Sequence, residues 1–339
     1  MVVRSRAPVR IEFGGGGTDL PMYFEKETGY VLNATINKYV YGTLKSKHTN
    51  DLKVITSEFK SSHVFSDVKA EKFEGDVKII HDIVEKLAIN YGVDIFLRSD
   101  IPPNTGLGTG ATVAVSVLGL FNHLKYEKAM DKYQIADMAY QINNLDAEVP
   151  GGKQCQYASV FGGMSLLEFR PDGHTRVHPL NVQRSTLLEL EKNLILAYVG
   201  NRESLASVKG IIHNQQMSYS DAEKLSTLHE LKNLALDMKH SLLRNDLMSF
   251  GENMGKAWEL KKKLNPSVTN QKIDDIYNMA KKFGAIGGRI IGAGGGGHML
   301  FYCESNKEQQ VASRLQEAGI GIVDFSFTNN GLETWEANQ

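Results

Sequence analysis

The sequence predicts an α+β protein with two domains. Its 339 residues exceed the size that one hydrophobic core usually serves, which favours two cores in close contact. The first hundred residues are rich in β-type runs separated by glycine and polar turns, whereas helical periodicity dominates from about Ser185. We expect a boundary between Phe169 and Leu194, and we divide the chain into residues 1–180 and 181–339.

The first half is predicted to contain six strands and three helices. The strand-like runs are Val9–Phe13, Tyr30–Ile36, Tyr39–Leu44, Leu52–Thr56, Val93–Leu97 and Met164–Phe169. The helical patterns are Lys78–Tyr91, which Gly92 would cap, Thr112–Leu124 and Asp131–Asn144.

The second half is predicted to be mainly helical, with strands toward its end. The helices are Leu205–Met217, Asp221–Arg244, Leu247–Leu264, Asn270–Phe283 and Lys307–Ala318, and the strands are Ile286–Ile291, His298–Cys303 and Ile322–Phe327. One apolar stripe of the long second helix is predicted to face the core: Leu225, Leu228, Leu231, Leu234 and Met238.

Composition excludes several classes of protein. The formal net charge of -1 gives no general attraction to nucleic acid or to an anionic membrane, so we expect a small-molecule partner. Cys155 and Cys303 are the two cysteines, too few for a disulfide framework. The start lacks the apolar core of a signal peptide, and no run is long enough for a membrane helix, so a cytoplasmic location is expected. Oligomeric state stays open, a homodimer included.

A glycine-rich loop lies at the centre of the first half. The segment Ile101-Pro-Pro-Asn-Thr-Gly-Leu-Gly-Thr-Gly-Ala-Thr112 joins a strand-like run to a helix-like run. A helix start leaves backbone N–H groups unpaired and carries partial positive charge, so it binds anions without a basic side chain. The loop is therefore predicted to bind phosphate.

Two further glycine motifs flank this loop, and their order is more specific than any one of them. Arg10-Ile-Glu-Phe-Gly-Gly-Gly-Gly-Thr-Asp19 lies near the start, and Gly292-Ala-Gly-Gly-Gly-Gly297 lies near the end. A single glycine run is more often a tight turn than a ligand site. Together with the central Pro-x-x-x-Gly-Leu-Gly loop, however, the set resembles the GHMP superfamily of small-molecule kinases over nearly the whole chain.

Within that superfamily, longer segments are similar to sugar 1-kinases of the D-glycero-D-manno-heptose 7-phosphate kinase group. These segments are residues 7–20, 31–38, 151–163 and 324–327. The resemblance implies an N-terminal domain with the nucleotide loop, a ferredoxin-like C-terminal domain and a cleft between them. It also implies ATP and Mg²⁺ as cofactors and phosphorylation of the anomeric hydroxyl of the heptose phosphate or a similar sugar.

The resemblance assigns roles by position. Arg10 would lie beside the attacking hydroxyl, with a surface arginine as the alternative, and Asp19 would bind sugar hydroxyls, with a turn-stabilising role as the alternative. Substrate would also contact Gly16, Gly17, Thr18, Gly152, Gly294, Gly295 and Gly296, and the triphosphate would contact Pro103, Gly106, Leu107, Gly108, Thr109, Gly110, Ala111 and Thr112. Candidates for binding a substrate phosphate are Lys38, Lys153, Arg202 and Arg289, although a solvated surface role is equally compatible with each.

Three features of the reaction centre depart from the family pattern: the base, the metal hydroxyls and the metal carboxylates. Cys155 stands where the family has the aspartate that serves as general base. Gly110 and Ala111 replace the serines that would approach Mg²⁺, which leaves the hydroxyls of Thr109 and Thr112. Gln141 and Asn143 stand where carboxylates are expected, with Asp146 or Glu148 as substitutes if the register shifts.

Two hypotheses follow from these departures. The first is an ATP-dependent sugar kinase, in which positioning and charge neutralisation sustain phosphoryl transfer without a strong base. The second is a catalytically degenerate protein that binds nucleotide or sugar phosphate without efficient transfer.

Overall fold

The computed structural model describes residues 1–57, 61–67, 77–124, 129–146, 151–202, 210–212 and 222–338. Within these ranges the chain forms two β-sheets with helices packed on them. None of the described helices combines the length and the apolarity that crossing a membrane requires.

The first sheet has eight strands and is mostly antiparallel. Its members are β1 (Val2–Gly14), β2 (Gly29–Ser46), β3 (Leu52–Thr56), β4 (Ser61–Phe65), β5 (Val93–Ser99), β6 (Met164–Phe169), β7 (Thr175–Pro179) and β12 (Glu333–Glu336). The order is β12-β1-β2-β5-β3-β4, with β6 paired to β2 and to β7. The helices of this half are α1 (Pro21–Phe24), α2 (Lys78–Lys86), α3 (Thr109–His123), α4 (Lys132–Tyr140) and α5 (Gln154–Phe161).

The second sheet has four antiparallel strands in the order β11-β8-β10-β9. These are β8 (Leu194–Gly200), β9 (Ala285–Ile290), β10 (Gly297–Cys303) and β11 (Gly321–Val323). Its helices are α6 (Arg184–Asn193), α7 (Ala222–Leu243), α8 (Leu247–Leu264), α9 (Gln271–Phe283) and α10 (Glu308–Glu317). This antiparallel layer with its helices agrees with the expected two-domain α+β architecture.

Several strand predictions need correction. The runs Tyr30–Ile36 and Tyr39–Leu44 form one strand, because β2 pairs with β1 on both sides of a register shift between Pro8 and Arg10. The predicted strand Ile322–Phe327 shortens to β11, and Phe327 makes an isolated bridge to Ile36 instead. The missed strands β4, β7 and β12 are edge strands with weak local alternation, and β8 pairs with β10 and β11 from much later in the sequence.

Helix ends also differ from the predictions. Helix α2 stops at Lys86 because Ala88 adopts a left-handed conformation with φ of 51°. The pattern predicted as Asp131–Asn144 is α-helical only to Tyr140 and continues as a π-helical turn, Gln141–Asp146. Helix α3 begins at Thr109 rather than at Thr112, and α5 and α6 were not predicted. The predicted helix Leu205–Met217 lies outside the described residues except for 210–212.

The apolar stripe of α7 is confirmed, and the helix packs against β1, β2 and α8. Leu228, Leu231 and Met238 are buried, and Leu225 and Leu234 pack against the same cluster. That cluster also contains residues of β1, β2, β8 and β10, so a shared apolar interface joins the two sheets. Strand β12, near the C-terminus, pairs with β1 in the first sheet. The division into residues 1–180 and 181–339 stays a prediction.

Candidate active site

A cleft between the two halves brings the three glycine motifs together around a cavity of about 210 Å³. The residues predicted from the sequence that line it include Arg10, Gly16, Gly17, Asp19, Gly106, Gly108, Thr109, Gly110, Ala111, Gly152, Cys155 and Arg202. Arg202, Gly292 and Ala293 line the opposite wall, which the second half supplies.

The floor of the cleft is the start of α3. Gly108 is the N-cap residue with φ of 83°, and no side chain caps this helix end within the described part of the chain. Thr109, Gly110 and Ala111 form the first turn and face the cavity. Their backbone N–H groups and the helix dipole make this a favourable place for phosphate.

The central loop and the late glycine loop lie against each other. A Cβ at Gly106 would lie 2.4 Å from the Ile291 carbonyl oxygen, and one at Gly292 would lie 2.8 Å from the Gly106 carbonyl oxygen. His298 approaches the loop from β10, with its Nδ1 2.9 Å from the Thr105 carbonyl oxygen. Backbone packing across the two halves therefore sets the shape of the central glycine loop.

Arg10 connects β1 to the phosphate loop. Its Nη1 donates to the Gly106 carbonyl oxygen at 2.7 Å, and its Nη2 lies 2.9 Å from the Cys155 Sγ. The side chain is buried. This geometry excludes the alternative of a solvated surface arginine, and it places a fixed positive charge where the loop and Cys155 meet.

Cys155, at the start of α5, is a poor proton acceptor in this setting. Burial raises the pKa of its thiol, and although Arg10 opposes the shift, Asp19 and Glu12 reinforce it. The thiol is therefore neutral at physiological pH. A neutral thiol does not replace the carboxylate that would take a proton from a sugar hydroxyl.

Asp19 is a buried carboxylate in the cleft. Its Oδ1 accepts the Gly17 N–H at 3.0 Å, and its Oδ2 accepts the Gln154 N–H at 3.3 Å. A Cβ at Gly152 would lie 1.9 Å from Oδ2, so only glycine permits this approach. Burial and the nearby Glu12 raise the pKa of Asp19. The turn-stabilising role is present and coexists with a position facing the cavity.

Glu12 forms an ion pair across the two sheets. Its Oε1 lies 2.7 Å from Arg289 Nη2, and both side chains are 1% exposed. Burial alone would raise the pKa of Glu12, but Arg289, Lys261 and Arg10 hold it below the usual value. The pair joins β1 to β9. Arg289 already has two partners, the Glu12 carboxylate and the Phe13 carbonyl oxygen.

Arg202 and Lys261 add positive charge to the wall from the second half. Arg202 Nε donates to the Gly294 carbonyl oxygen at 2.9 Å, and burial with the nearby Arg10 lowers its pKa to about 10. Lys261, on α8, is buried and donates to the Gly292 carbonyl oxygen. Both side chains line the cavity.

Other predicted residues lie outside the cavity lining: Pro103, Leu107, Thr112, Thr18, Lys38, Lys153, Gly294, Gly295 and Gly296. Lys153 is directed elsewhere because its amine donates to the Gly173 carbonyl oxygen and lies 3.7 Å from Asp137. The Thr18 hydroxyl bonds the backbone of Gly15 and Tyr30. Gly294 packs against Val268, which sets the loop rather than the cavity surface.

The described side chains around the cleft do not form a magnesium cage of their own. The described residues contain no cluster of three acidic, histidine or cysteine side chains suited to a metal. The Thr112 hydroxyl donates to the Gly108 carbonyl oxygen, and that of Thr109 points at Pro102 with a distance of 3.5 Å. Asn143 and Asn144 bond each other, and Glu148 lies outside the described residues.

Glu12 and Lys261 are cleft residues that the sequence reasoning missed, and each had a local signal. Glu12 is two residues after Arg10 on a strand, so it shares the face that points into the cleft. Lys261 lies three residues after Trp258 and seven after Met254 on the buried face of α8. Gln154, Gln156 and Asn104 also line the cavity.

Comparison with known proteins decides the family. The GHMP kinases N terminal domain matches residues 77–163, and the GHMP kinases C terminal domain matches residues 238–321. D-glycero-alpha-D-manno-heptose 7-phosphate kinase from Campylobacter jejuni is 31% identical over 98% of this chain and 98% of its own. The chain belongs to the GHMP kinase family. It is accordingly a phosphotransferase with an alcohol group as acceptor.

Solved structures agree with the fold of this GHMP kinase. A D-glycero-D-manno-heptose 1-phosphate kinase from Bacteroides thetaiotaomicron is similar with a TM-score of 0.83 and 26% identity, covering 99% of this chain and 100% of that one. A putative sugar kinase from Campylobacter jejuni is similar with a TM-score of 0.78 and 30% identity, covering 98% of each chain. The predicted two-domain GHMP kinase fold is therefore confirmed.

Proposed function

We propose that this GHMP kinase transfers the γ-phosphoryl group of ATP to the anomeric hydroxyl of D-glycero-D-manno-heptose 7-phosphate or a closely similar sugar. The sugar oxygen forms a bond to the γ-phosphorus, the bond from that phosphorus to the ADP oxygen breaks, and the hydroxyl proton passes to solvent water. We propose that Mg²⁺ accompanies the nucleotide and is bound mainly by its phosphates and water.

One observation carries this proposal: Arg10 contacts both the phosphate loop and the position of the family's base. Its guanidinium touches Gly106 and Cys155, and Asp19 lines the same cavity. A cation at this point favours the charge that develops on a transferred phosphoryl group, and a buried carboxylate is suited to binding sugar hydroxyls. The full-length similarity to a heptose 7-phosphate kinase supports the choice of sugar.

ADP release with a panel of acceptors tests the proposal. The chain, ATP and Mg²⁺ are incubated with heptose 7-phosphate, with the unphosphorylated heptose, with galactose and without sugar. We expect ADP release that depends on the sugar and is fastest with heptose 7-phosphate. The substrate assignment fails if ADP release with another acceptor is more than tenfold faster than with heptose 7-phosphate. Arg10→Met is the control, because it removes the contact of the guanidinium with the Gly106 carbonyl oxygen.

The second candidate is binding of nucleotide or sugar phosphate without efficient transfer. The observation that favours it is the neutral, half-buried Cys155 at the position of the base. Calorimetric binding of ATP and sugar phosphate, together with no sugar-dependent ADP release, would support this candidate over the first.

A further inference from the structure

Among the described residues, four basic side chains in and beside the cleft outnumber its two carboxylates, Glu12 and Asp19. Arg289, Lys261 and Arg10 lie near Glu12, Arg289 is already paired with it, and Arg202 lines the same cavity. Burying a charge without a partner is unfavourable, so an excess of one sign around a cavity favours a ligand of the other sign. The excess here points to an anion.

Lys261 is the one lysine of this group, and its amine has donors left for a ligand. An ammonium group has three donors, and among the described residues the amine of Lys261 donates to one acceptor, the Gly292 carbonyl oxygen. The side chain is 5% exposed and lines the cavity. It comes from the last turn of α8, which packs on β9, so its position is set by a rigid element.

Arg202 lies beside Lys261 and reaches the phosphate loop. One guanidinium nitrogen lies 3.1 Å from the Cβ position of Gly106 and 3.2 Å from that of Gly292. Arg202 therefore lies against both the central and the late glycine loops, Lys261 contacts the late loop, and both line the cavity that the first turn of α3 also lines. A phosphoryl group in this cavity would meet helix N–H groups on one side and two cations on the other.

We propose that Lys261, together with Arg202, binds a phosphoryl group in the cleft and takes up a proton as the ligand binds. The inference rests on the proposed function and adds a residue to it. The phosphoryl group belongs either to the nucleotide or to the sugar phosphate, and the experiment below distinguishes these two sources.

The proposal predicts a measurable change in the protonation of Lys261 when the ligand binds. Burial and Arg289 lower the pKa of Lys261 to about 7, Glu12 opposes the shift, and Arg202 and Arg10 reinforce it. These four groups come from β1, β9 and the segment after β8, which together surround the amine. An anion beside the amine favours its charged form, so the pKa rises when phosphate binds. The arginines remain charged throughout and contribute no proton.

Calorimetry at pH 8 in two buffers of different ionisation enthalpy measures this proton. A phosphate monoester is already a dianion at that pH, so it contributes little to the exchange. The ligands are the β,γ-imido analogue of ATP, heptose 7-phosphate, the unphosphorylated heptose and inorganic phosphate. We expect the uptake of about one proton per bound phosphate ligand and none for the unphosphorylated heptose.

Three variants assign the proton to Lys261. Lys261→Met should abolish the uptake and weaken binding by about 10- to 100-fold. Lys261→Arg should abolish the uptake but keep a cation, so its binding should fall less. Lys263→Met is the matched control, because that lysine is exposed on the same helix and pairs with Glu223; it should leave both quantities unchanged.

The outcomes separate this inference from the proposed function. Uptake with the ATP analogue alone assigns Lys261 to the nucleotide, and uptake with heptose 7-phosphate alone assigns it to the sugar phosphate. Sugar phosphorylation at full rate with no Lys261-dependent uptake for any ligand overturns the inference and leaves the function standing. Uptake that Lys261→Arg abolishes, with no phosphorylation of any sugar, overturns the function and leaves the inference standing.

Discussion

Arg10 and Cys155 lie in contact where the family normally pairs a cation with a carboxylate. The 2.9 Å contact holds the guanidinium over the phosphate loop, so the position of the charge survives the change of its partner. The property that is lost is proton acceptance, because desolvation raises the pKa of the half-buried thiol. Positioning and charge neutralisation account for most of phosphoryl transfer, so a slow reaction is compatible with this centre.

Replacing Cys155 by aspartate should accelerate the reaction. A carboxylate beside Arg10 would be ionised and within reach of the same site, and general base catalysis contributes about 10²–10⁴-fold. We expect kcat to rise by about 10²-fold in Cys155→Asp, measured as sugar-dependent ADP release. Cys155→Ser, which keeps a small neutral group, should stay near the wild type. A Cys155→Ser variant that loses nearly all activity would instead assign a catalytic role to the thiol.

Lys261 should make the stability of the protein depend on pH. Its pKa is about 7 in the folded protein and 10.5 for an ordinary lysine. Between these values the unfolded chain binds more protons, so the contribution of this group to stability rises with pH and is smallest below pH 7. We expect the free energy of unfolding of the wild type, relative to Lys261→Met, to rise by about 2 kcal/mol from pH 7 to pH 9. Urea unfolding at both pH values checks this, and a constant difference would contradict it.

Around the central glycine loop, Gly106 and Gly110 differ in whether the surrounding structure leaves room for a side chain. Gly106 has φ of +94° and lies against the backbone of the late glycine loop, whereas a Cβ at Gly110 would meet nothing within 4 Å. Gly106→Ala should lower the free energy of unfolding by about 1–3 kcal/mol. Gly110→Ala, in the first turn of α3, should leave it unchanged or raise it by up to about 1 kcal/mol. Equal effects in chemical denaturation would argue against the packing of the two loops.

The Glu12 and Arg289 ion pair joins β1 of one sheet to β9 of the other. Removing one partner leaves a buried charge, so Glu12→Gln should cost about 3–5 kcal/mol of stability. The double variant Glu12→Gln, Arg289→Met should cost much less than the sum of the two single changes. Unfolding measurements on all four proteins give the coupling free energy, and additive effects would show that the pair does not hold the sheets together.

Elements with a strong local pattern were predicted well, and those defined by distant partners were not. Helix α8 was predicted with its observed ends, because its apolar period is regular over Leu247–Leu264. The strand β12 was missed because Glu333–Glu336 has no marked apolar alternation and pairs with β1 from the far end of the chain. Helix α2 ends early because Ala88 adopts a left-handed conformation. Alanine does not favour that conformation, so the sequence could not predict it.

The whole molecule explains why the cleft was only partly predictable. Glycine motifs are local in sequence, so all three could be placed at the site before the structure was known. The partners of the basic residues lie far from them in the sequence. Lys153 is directed toward Asp137, and Arg289 is paired with Glu12. Lys261 reaches the cavity from a helix that carries no recognisable motif. Which cation faces the ligand is therefore decided by packing between the two halves.

Phosphorus-31 NMR of a reaction mixture tests the central claim most directly. The full chain is incubated with ATP, Mg²⁺ and heptose 7-phosphate, and the spectrum is followed beside a sample of Arg10→Met. We predict loss of the γ-phosphate resonance, appearance of ADP and a new sugar phosphate resonance coupled to the anomeric proton, with little change in the Arg10→Met sample. Tight binding of both ligands without any new phosphate ester would contradict the account and identify the chain as a GHMP kinase scaffold that binds without transferring.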